Sequence, residues 1–375
     1  SSDHSSYMTV HDNAVEFIDE LSSHDLSQTF GPSVFNDLTD DEIVNDTRFE
    51  VRRVLGQGAF GEVYGAQDSD LNRRVALKHF KGEMSQAIEA CRNEVRFVGR
   101  LEHPGIPPVY QVSKTIDGFP YIVMKQLEGK PLSDIINQLK SGDLKVHARY
   151  SFRARIELIV QLLRIVESAH QSGILHLDIK PDNIYLGEHD ELYLIDWGIS
   201  EEREVAKNRS TLCGTPLYMS PEQSQAKPLD VTSDIFSVGA VAYELLSLES
   251  CAPQEKSLAD LLEALPTFQP KVVDLHYNAI QGYSPSEFKT PIMKSIKRAP
   301  ADRYQSTGEM RYDLEQALDG NFLVKCPRTL IKMSINRLFK WLDKRLRNVM
   351  LIYALILTFL ISLLSLGALI GRAFG

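Results

Sequence analysis

The stretch HLDIKPDN, residues 176–183, lies between two apolar runs, GIL and IYL. Polar and charged side chains are thus concentrated where the neighbouring residues predict buried strands. Asp178, Lys180 and Asn183 are so closely spaced that a fold must present them together at one site, or leave them all in solvent. A surface loop with scattered charges is the simple alternative.

The residues that follow predict a β-hairpin, because IYL and LYLI have the composition of short strands and GEHDE joins them. Antiparallel pairing would bring Asn183, just before the first strand, near Asp196, just after the second. An amide oxygen beside a carboxylate suits Mg²⁺, a hard cation that prefers oxygen ligands. Asp178 could then accept a hydroxyl proton, and Lys180 could neutralise charge on a phosphoryl group.

The segment LGQGAFGEV contains Gly56, Gly58 and Gly61 in the spacing G-x-G-x-x-G. In a dinucleotide-binding fold such a loop opens a helix, whereas here EVYGAQ continues as a strand. A glycine loop between two strands lets backbone amides close over phosphates without obstruction from a Cβ. On its own, the motif would better fit a simple hairpin turn.

The segment VALK places Ala76 and Lys78 on one face of a strand. The small residue leaves room for a flat ring, and the ammonium group can reach phosphates. Glu94 lies beside the apolar stripe of the next helix, where a glutamate is costly unless it is paired, so Lys78 is its expected partner. Taken singly, either residue could be solvated. The stripe consists of Ile88, Cys91, Val95, Val98 and Leu101.

Together these motifs resemble those of a eukaryotic-type Ser/Thr protein kinase, similar to the membrane-anchored bacterial members of that family. The resemblance covers roughly residues 49–320 and includes Asp196, Trp197 and Gly198 as well as GTPLYMSPE. It implies transfer of the γ-phosphoryl group of ATP to protein hydroxyls, with Mg²⁺ as cofactor.

The fold that this resemblance implies is α+β: the bilobal protein-kinase fold over residues 48–320. A small β-rich N-lobe is expected at about 48–127 and a larger helical C-lobe at about 128–320. The sequence pattern agrees, since it is rich in strands in the first part and in helices after it. The clearest helix, ARIELIVQLLRIVESAHQSG, is closed by Gly173 at a predicted C′ position.

By resemblance, Asp178 is the catalytic base with Lys180 beside it, and Asn183 and Asp196 hold Mg²⁺. Lys78 contacts the α- and β-phosphates. The residues that the resemblance places around the nucleotide are Leu55, Gly56, Gln57, Gly58, Ala59, Phe60, Gly61, Val63, Ala76, Lys78, Glu94, Met124, Lys125, Leu127 and Tyr185.

Within that set, Val63 and Ala76 line the adenine pocket and Met124 is the gatekeeper. Backbone groups of Lys125 and Leu127 bond the adenine, with Tyr185 on the pocket floor. Further matches serve structure and specificity. Lys180 together with Thr215 fits the Ser/Thr-specific pattern, Glu222 and Arg303 match an ion pair of the helical lobe, and Asp234 matches an aspartate that braces the catalytic loop.

Two positions depart from the family pattern. Leu177 stands where many members have an arginine that pairs with a phosphorylated activation loop. Phosphorylation at Ser210 or Thr211 would therefore lack its best partner, worth about 1.5–3 kcal/mol for a charge-assisted bond. Trp197 replaces the common Phe and is interpreted as a packing variation.

Two other functions stay open at this point. A pseudokinase that acts as a membrane-tethered scaffold would be expected to lack a catalytic or metal-binding residue, yet all are present. A small-molecule kinase on the same fold would not be expected to keep GTPLYMSPE, the segment that by resemblance shapes a peptide-binding groove. Protein substrates, the activating signal and the oligomeric state do not follow from the sequence, and dimerisation stays open.

The ends of the chain differ sharply in charge, while the whole carries a net −9. Residues 1–47 hold eleven acidic groups and no Lys or Arg, which predicts a largely flexible acidic extension. The four cysteines form no C-x-x-C pair, which argues against zinc or a disulfide framework and fits a reducing compartment. No secretory signal is visible, and no nucleic-acid partner is expected.

Residues 349–370 form a run of 22 residues without a charge, long enough for a single transmembrane helix. Residues 321–348 carry eight Lys or Arg against Asp343, and 328–347 form a basic amphipathic pattern expected to contact anionic lipid. A solvated helical linker is the alternative for that pattern. The basic flank predicts a cytoplasmic kinase domain. A short tail, 371–375, follows.

The chain begins at Ser1 without Met and ends soon after the predicted span. It is therefore expected to be either a fragment of a receptor with an outer sensor domain or a tail-anchored kinase.

Overall fold

The computed structural model describes residues 48–58, 61–208, 211–255, 257–273, 276–321, 334, 335, 338 and 353–362. The predicted acidic extension, the short tail and most of the predicted juxtamembrane segment and span lie outside the described residues. By its internal contacts the chain divides into two compact units, Ser1–Leu314 and Glu315–Gly375.

The first part of the kinase-like region is a five-stranded antiparallel sheet in the order β1-β2-β3-β5-β4. Helix α1 (Met84–Val98) lies between β3 and β4 in the chain. The strands are β1 (Phe49–Gly58), β2 (Gly61–Asp68), β3 (Arg73–Phe80), β4 (Val109–Lys114) and β5 (Pro120–Lys125). This is the predicted β-rich lobe.

Alternation along β3 divides the sheet into two faces. Val75 and Leu77 lie in an apolar cluster with residues of β1, β2 and β5. Phe80 lies on the opposite face and packs with Ala87 and Cys91 of α1. Lys78 shares the α1 face with Phe80, which brings its ammonium group toward that helix.

The predicted apolar stripe of α1 holds except at its end. The helix stops at Val98, and Gly99 serves as its C-cap. Leu101 is buried but lies beyond the helix, so its inclusion in the stripe was wrong. Its burial comes from the chain turn that follows α1, which helical periodicity does not describe.

The second part is mainly helical, as predicted. Its longest helices are α4 (Phe152–Gln171) and α6 (Val231–Ser247), which pack against each other. The others are α2 (Leu132–Lys140), α3 (Leu144–Arg149), α5 (Arg203–Ala206), α7 (Leu258–Ala264), α8 (Ser286–Ser295) and α9 (Thr307–Leu318).

Helix α6 is buried along nearly its whole length, because neighbouring elements surround it. It begins at the N-cap Asp230, whose carboxylate accepts a hydrogen bond from the amide of Val231 at 2.7 Å. Helix α4 ends before Gly173, whose φ of 73° is the left-handed conformation predicted for a C′ glycine.

Short strands complete this part and hold its loops. They are β6 (Lys130–Pro131), β7 (Ile174–Leu175), β8 (Ile184–Leu186), β9 (Leu192–Leu194), β10 (Glu201–Glu202), β11 (Tyr277–Asn278) and β12 (Gly282–Tyr283). Strands β8 and β9 form the predicted hairpin, with β6 on the other side of β8. Strand β7 pairs with β10 and β11 with β12.

Within the predicted span, residues 353–362 are helical and exposed. No helix in the described part of the chain combines the length and apolar character needed to cross a bilayer.

Candidate active site

Lys78 of β3 binds two carboxylates from different parts of the chain. Its Nζ lies 2.6 Å from Oε2 of Glu94 on α1 and 2.9 Å from Oδ1 of Asp196, just after β9. The Glu94 side chain is only 5% exposed, which explains why it needs a cation. The predicted pairing of Lys78 with Glu94 is therefore present.

Burial and pairing act in opposite directions on these groups. Burial alone would lower the pKa of Lys78, but the two carboxylates raise it well above the usual value. Burial raises the pKa of Glu94, an effect that Lys78 counters only in part. Burial would also raise the pKa of Asp196, yet the Lys78 ammonium holds it below its usual value. Lys78 and Asp196 are thus both charged at neutral pH.

The hairpin places Asn183 and Asp196 next to each other, as predicted. Ile184 pairs with Leu194, and the amide of Ile195 donates to the carbonyl of Asn183 at 2.9 Å. Asp196 has a φ of 65°, an unusual conformation for a residue other than glycine that turns the chain sharply after β9. Such strain is common at functional sites.

Asp178 lies at the centre of a second cluster. Its Oδ1 accepts a hydrogen bond from the hydroxyl of Thr215 at 2.6 Å, and its Oδ2 lies 2.9 Å from Nζ of Lys180. The Nδ2 of Asn183 donates to the same Oδ2 at 3.1 Å and to the backbone carbonyl of Asp178 at 2.9 Å. Asn183 therefore joins the Asp178 cluster to the Asp196 cluster.

Asp234 of α6 holds the backbone of residues 176–183, the predicted catalytic loop. Its carboxylate accepts hydrogen bonds from the amides of His176 and Leu177, both at 2.9 Å, and lies 2.8 Å from Nε2 of His170. Leu177 has a φ of 66°, so these bonds stabilise a left-handed conformation. Burial would raise the pKa of Asp234, but His170 and the other donors lower it.

Trp197 is a packing residue, in line with the interpretation from sequence. It is 1% exposed, donates from Nε1 to the carbonyl of Leu194 at 3.2 Å, and meets the ring of His176 edge-on at 4.5 Å. The indole thus braces the catalytic loop against the chain that follows β9.

The residues predicted to line the adenine pocket lie on neighbouring strands of the sheet. Ala76 is directly opposite Met124 in the sheet, and Val63 of β2 is opposite Lys78. The amide of Lys125 donates to the carbonyl of Pro108 at 3.2 Å, so this backbone group is already used within the protein.

Leu127 and Tyr185 are both partly buried at the end of β5 and on β8. Burial raises the pKa of Tyr185, so its hydroxyl stays protonated at neutral pH.

The predicted glycine loop joins β1 to β2. Gly61 has a φ of 155°, and a Cβ there would lie 1.9 Å from the carbonyl oxygen of His79, so no side chain fits. Gly56 and Gln57 pair with β2, and the side chain of Leu55 covers Gly65. Gly58 pairs with Gly61. Ala59 and Phe60 lie outside the described residues.

Glu222 and Arg303 form the predicted ion pair of the helical part. Nη1 and Nη2 of Arg303 lie 2.7 and 2.8 Å from the two carboxylate oxygens of Glu222. Arg303 also donates to the carbonyl of Thr232 at 2.9 Å, and Ser233 donates to Glu222 at 2.7 Å. Burial would raise the pKa of Glu222, but Arg303 lowers it below the usual value.

The residues present fit a magnesium ion. Nδ2 of Asn183 donates to Asp178, and Oδ1 of Asp196 accepts from Lys78. Oδ1 of Asn183 and Oδ2 of Asp196 have no hydrogen-bond partner in the described part of the chain. No group of three or more His, Cys, Asp or Glu among these residues is placed to hold a metal. Two protein oxygens completed by phosphates and water are typical of Mg²⁺.

Sequence reasoning missed Glu202 of β10, which binds Arg96 of α1 and Arg100 just after that helix. It also missed Glu244 of α6, which accepts from the hydroxyl of Tyr218 at 2.6 Å and binds Lys140 at 2.7 Å. Both contacts join segments far apart in the chain, and no local pattern in the sequence predicts them.

Comparison with known proteins identifies the family. Residues 49–317 match the protein kinase domain, and the chain therefore belongs to the protein kinase family. Among its relatives, the serine/threonine-protein kinase PknD of Chlamydia pneumoniae is 30% identical over 298 residues, covering 73% of this chain and 31% of the relative.

Two probable serine/threonine-protein kinases are similarly related. That of Streptomyces coelicolor is 30% identical over 290 residues, or 73% of this chain and 40% of the relative. That of Corynebacterium efficiens is 28% identical over 278 residues, or 72% and 41%. The chain thus spans less than half the length of each relative. The predicted resemblance and the enzyme class, serine/threonine protein kinase, are confirmed at the level of the family.

Proposed function

We propose that this protein is an ATP- and Mg²⁺-dependent kinase that phosphorylates Ser or Thr of protein substrates. The observation that carries the proposal is a set of linked contacts: Glu94 and Asp196 both bind Lys78, Ile195 beside Asp196 donates its amide to Asn183, and Asn183 donates to Asp178. Three carboxylates, an amide and a lysine thus converge from α1, β3, the catalytic loop and the end of the β8–β9 hairpin.

Asp178 is suited to receive the proton of a substrate hydroxyl. An ionised carboxylate offers about four acceptor positions, and Thr215, Lys180 and Asn183 occupy three of them. The remaining position can accept from an incoming alcohol, while the three donors fix the carboxylate in place. Lys180 also brings positive charge to the place where the phosphoryl group would move.

Asn183 and Asp196 would hold Mg²⁺, which when bound neutralises charge on the phosphates and bridges them. Lys78 would contact the α- and β-phosphates, with its ammonium held in position by Glu94. The glycine loop from Leu55 to Gly61 would cover the phosphates, since its glycines carry no Cβ to obstruct the approach of backbone amides. Most of this binding is electrostatic and prearranged, which is how phosphoryl transfer is chiefly catalysed.

Transfer of ³²P from labelled ATP to casein by the full chain in detergent tests the proposal. Asp178→Asn is expected to reduce the rate by about 10²–10⁴-fold, the usual contribution of a general base. Asp182→Asn removes an exposed carboxylate from the same loop and is expected to leave the rate unchanged. Chelation of Mg²⁺ should abolish transfer in both.

Other outcomes would support the alternatives. Phosphorylation of sugars or aminoglycosides but of no protein would indicate a small-molecule kinase. No transfer to any acceptor by the unmodified chain would indicate a pseudokinase.

Membrane anchoring by residues 349–370, with the kinase domain on the cytoplasmic side, is part of the same proposal. The support is the charge-free run, the basic residues before it and the exposure of apolar side chains in the described helical part, such as Leu355 and Phe359 at 60 and 66%. Exposed apolar helices are stable when lipid surrounds them.

A further inference from the structure

Glu202 of β10 binds two arginines at once, one in the last turn of α1 and one just after the helix. Its Oε1 lies 2.6 Å from Nη2 of Arg96 and 2.7 Å from Nη1 of Arg100. Arg96 lies in the last turn of α1 and Arg100 follows its C-cap, Gly99, so both contacts are made at the C-terminal end of the helix. Arg100 also donates from Nη2 to the carbonyl of Ser172 at 3.3 Å. The C-terminal end of α1 is thus bound to the helical part of the molecule.

The backbone of Glu202 is itself fixed. Strand β10 pairs with β7, with Glu202 opposite Ile174, and β7 leads directly into the catalytic loop. The next residue, Arg203, donates its amide to the carbonyl of Gly173 at 2.9 Å and its Nη2 to Asp230, the N-cap of α6, at 3.0 Å. Two consecutive side chains therefore reach in different directions, one to α1 and one to α6.

The contact bears on catalysis because α1 carries Glu94. Glu94 and Arg96 are two residues apart in α1, and Glu94 orients Lys78. Apart from the Glu94–Lys78 pair itself, the described contacts of α1 with the sheet include apolar packing through Ala87 and Cys91, which does not fix the rotation of a helix as a directed ion pair does. A rigid α1 holds Lys78 against Asp196.

Position 177 supplies no cation for the segment after Asp196. Leu177 is 1% exposed and lies in an apolar cluster with residues of that segment, including Ala206 and Cys213. The loop is packed on it by apolar contact. The negative charge that faces α1 is the fixed carboxylate of Glu202, which needs no modification.

We propose that Glu202 is a positioning residue for phosphoryl transfer: through Arg96 and Arg100 it holds α1 in the orientation that pairs Glu94 with Lys78, and it does so without phosphorylation of the loop. The proposal rests on the kinase function proposed above. Loop phosphorylation orders many kinases through new contacts with arginine, and here a built-in carboxylate makes such contacts.

The test compares Glu202→Gln with Glu204→Gln in the full chain. Glu204 is two residues away and pairs with Lys207 rather than α1, so it matches the change in charge. Glu202→Gln is expected to lower kcat about three- to tenfold, since part-exposed ion pairs contribute modestly. The KM for casein should not change, because α1 and Glu202 lie outside the segment GTPLYMSPE, residues 214–222, which by resemblance shapes a peptide-binding groove. Glu204→Gln should behave as the unmodified chain.

A second measurement does not depend on activity. Hydrogen exchange of residues 84–98 is expected to become faster in Glu202→Gln, with residues 231–247 unchanged as the internal reference. The pair Arg96→Gln with Arg100→Gln should give the same change, and adding Glu202→Gln to that pair should add nothing further.

The outcomes separate the two proposals. If the unmodified chain transfers phosphate but Glu202→Gln alters neither kcat nor exchange, the inference about Glu202 fails and the kinase function stands. If the unmodified chain transfers no phosphate, the kinase function fails, and exchange alone decides whether Glu202 orients α1.

Ser210→Ala with Thr211→Ala should reduce activity only modestly. A thousandfold loss would overturn the independence from phosphorylation.

Discussion

Lys78 shows how a buried charge is stabilised by competing effects. Its side chain is 12% exposed, and removal from water is unfavourable for the charged form. Two carboxylates more than compensate, so the pKa is raised. Those carboxylates come from α1 and from the end of β9, so the raised pKa of Lys78 depends on both elements being in place.

Lys78→Met is expected to reduce kcat by about 10²-fold or more, as for removal of one prearranged electrostatic group from an active site. The change also leaves Glu94 and Asp196 facing each other without a cation. Rates of ³²P transfer to casein measure the effect. Lys81→Met serves as the control, because Lys81 directly follows β3 and pairs with Glu62 instead. Equal losses in both variants would contradict the role of Lys78.

Glu222 should make folding depend on pH. Its pKa is lowered in the folded protein, so its contribution to stability is complete above the ordinary pKa of glutamate and is lost as the pH falls. Glu222→Gln is expected to lower the free energy of unfolding at pH 7 by about 3 kcal/mol, since Arg303 is left buried. The difference from the unmodified protein should shrink below about pH 5.

Urea unfolding between neutral and acidic pH measures that difference. Glu263→Gln, an exposed acid on α7, is the control and should unfold like the unmodified protein. A difference that stays constant from neutral to acidic pH would mean that the carboxylate's charge is not the cause.

Single residues of the site could be predicted where the chemistry restricts the choice. Glu94 lies beside an apolar stripe and needs a cation, and the VALK motif on the preceding strand offers Lys78. Glu202 could not be found in this way. It is an ordinary part-exposed acid whose two partners lie about a hundred residues earlier in the chain, and only the folded structure brings them together.

At the scale of elements, the strands were predictable because alternation continues on both sides of the glycine loop. The hairpin β8–β9 was predictable because its strands are apolar and its connection is polar. The two-residue strands β6, β7 and β10 were not, since they are too short to show a period and exist only through their partners. The end of α1 was misjudged for a similar reason, because Leu101 is buried by tertiary contacts.

At Gly239 of α6, tertiary packing is expected to outweigh helix propensity. A Cβ there would lie 2.1 Å from Oγ of Ser295 and 2.8 Å from Cγ2 of Ile296, and both residues are buried next to α8. Helix propensity alone favours alanine by about 1 kcal/mol. Gly239→Ala is nevertheless expected to lower the free energy of unfolding by about 1–3 kcal/mol through overpacking.

Gly308→Ala on α9 is the matched control. Its Cβ would meet the carboxylate of Glu167, a flexible side-chain end that can move aside. Denaturant unfolding should therefore show a lower free energy of unfolding for Gly239→Ala and an unchanged or higher one for Gly308→Ala. A stabilised Gly239→Ala would show that α6 and α8 can separate at little cost.

At the scale of the whole molecule, charge is divided along the chain rather than mixed. Eleven acidic groups precede the kinase domain, and a segment of net charge +7 follows it, directly before the apolar run. The architecture of the kinase domain followed from its motifs through resemblance to a family. No period or composition would have given the way its strands and helices close around Lys78.

The basic segment and the apolar run predict two separable modes of membrane binding. The full chain is expected to float with vesicles of any composition, and about 1 M salt should not release it, because salt screens charge but not apolar burial. A chain that ends at residue 348 should float only with anionic vesicles and be released by that salt. Both should phosphorylate casein equally in detergent.

Replacing Lys332, Lys340, Lys344 and Arg347 by Gln in the shortened chain removes four of the eight basic residues of segment 321–348 and is expected to weaken its binding to anionic vesicles strongly. The same replacements in the full chain should leave flotation intact, since each basic residue adds only about 1 kcal/mol and the apolar run far more. If the full chain stays in solution with every vesicle, residues 349–370 do not anchor it. If the shortened chain ignores anionic lipid, the segment before them is a solvated linker.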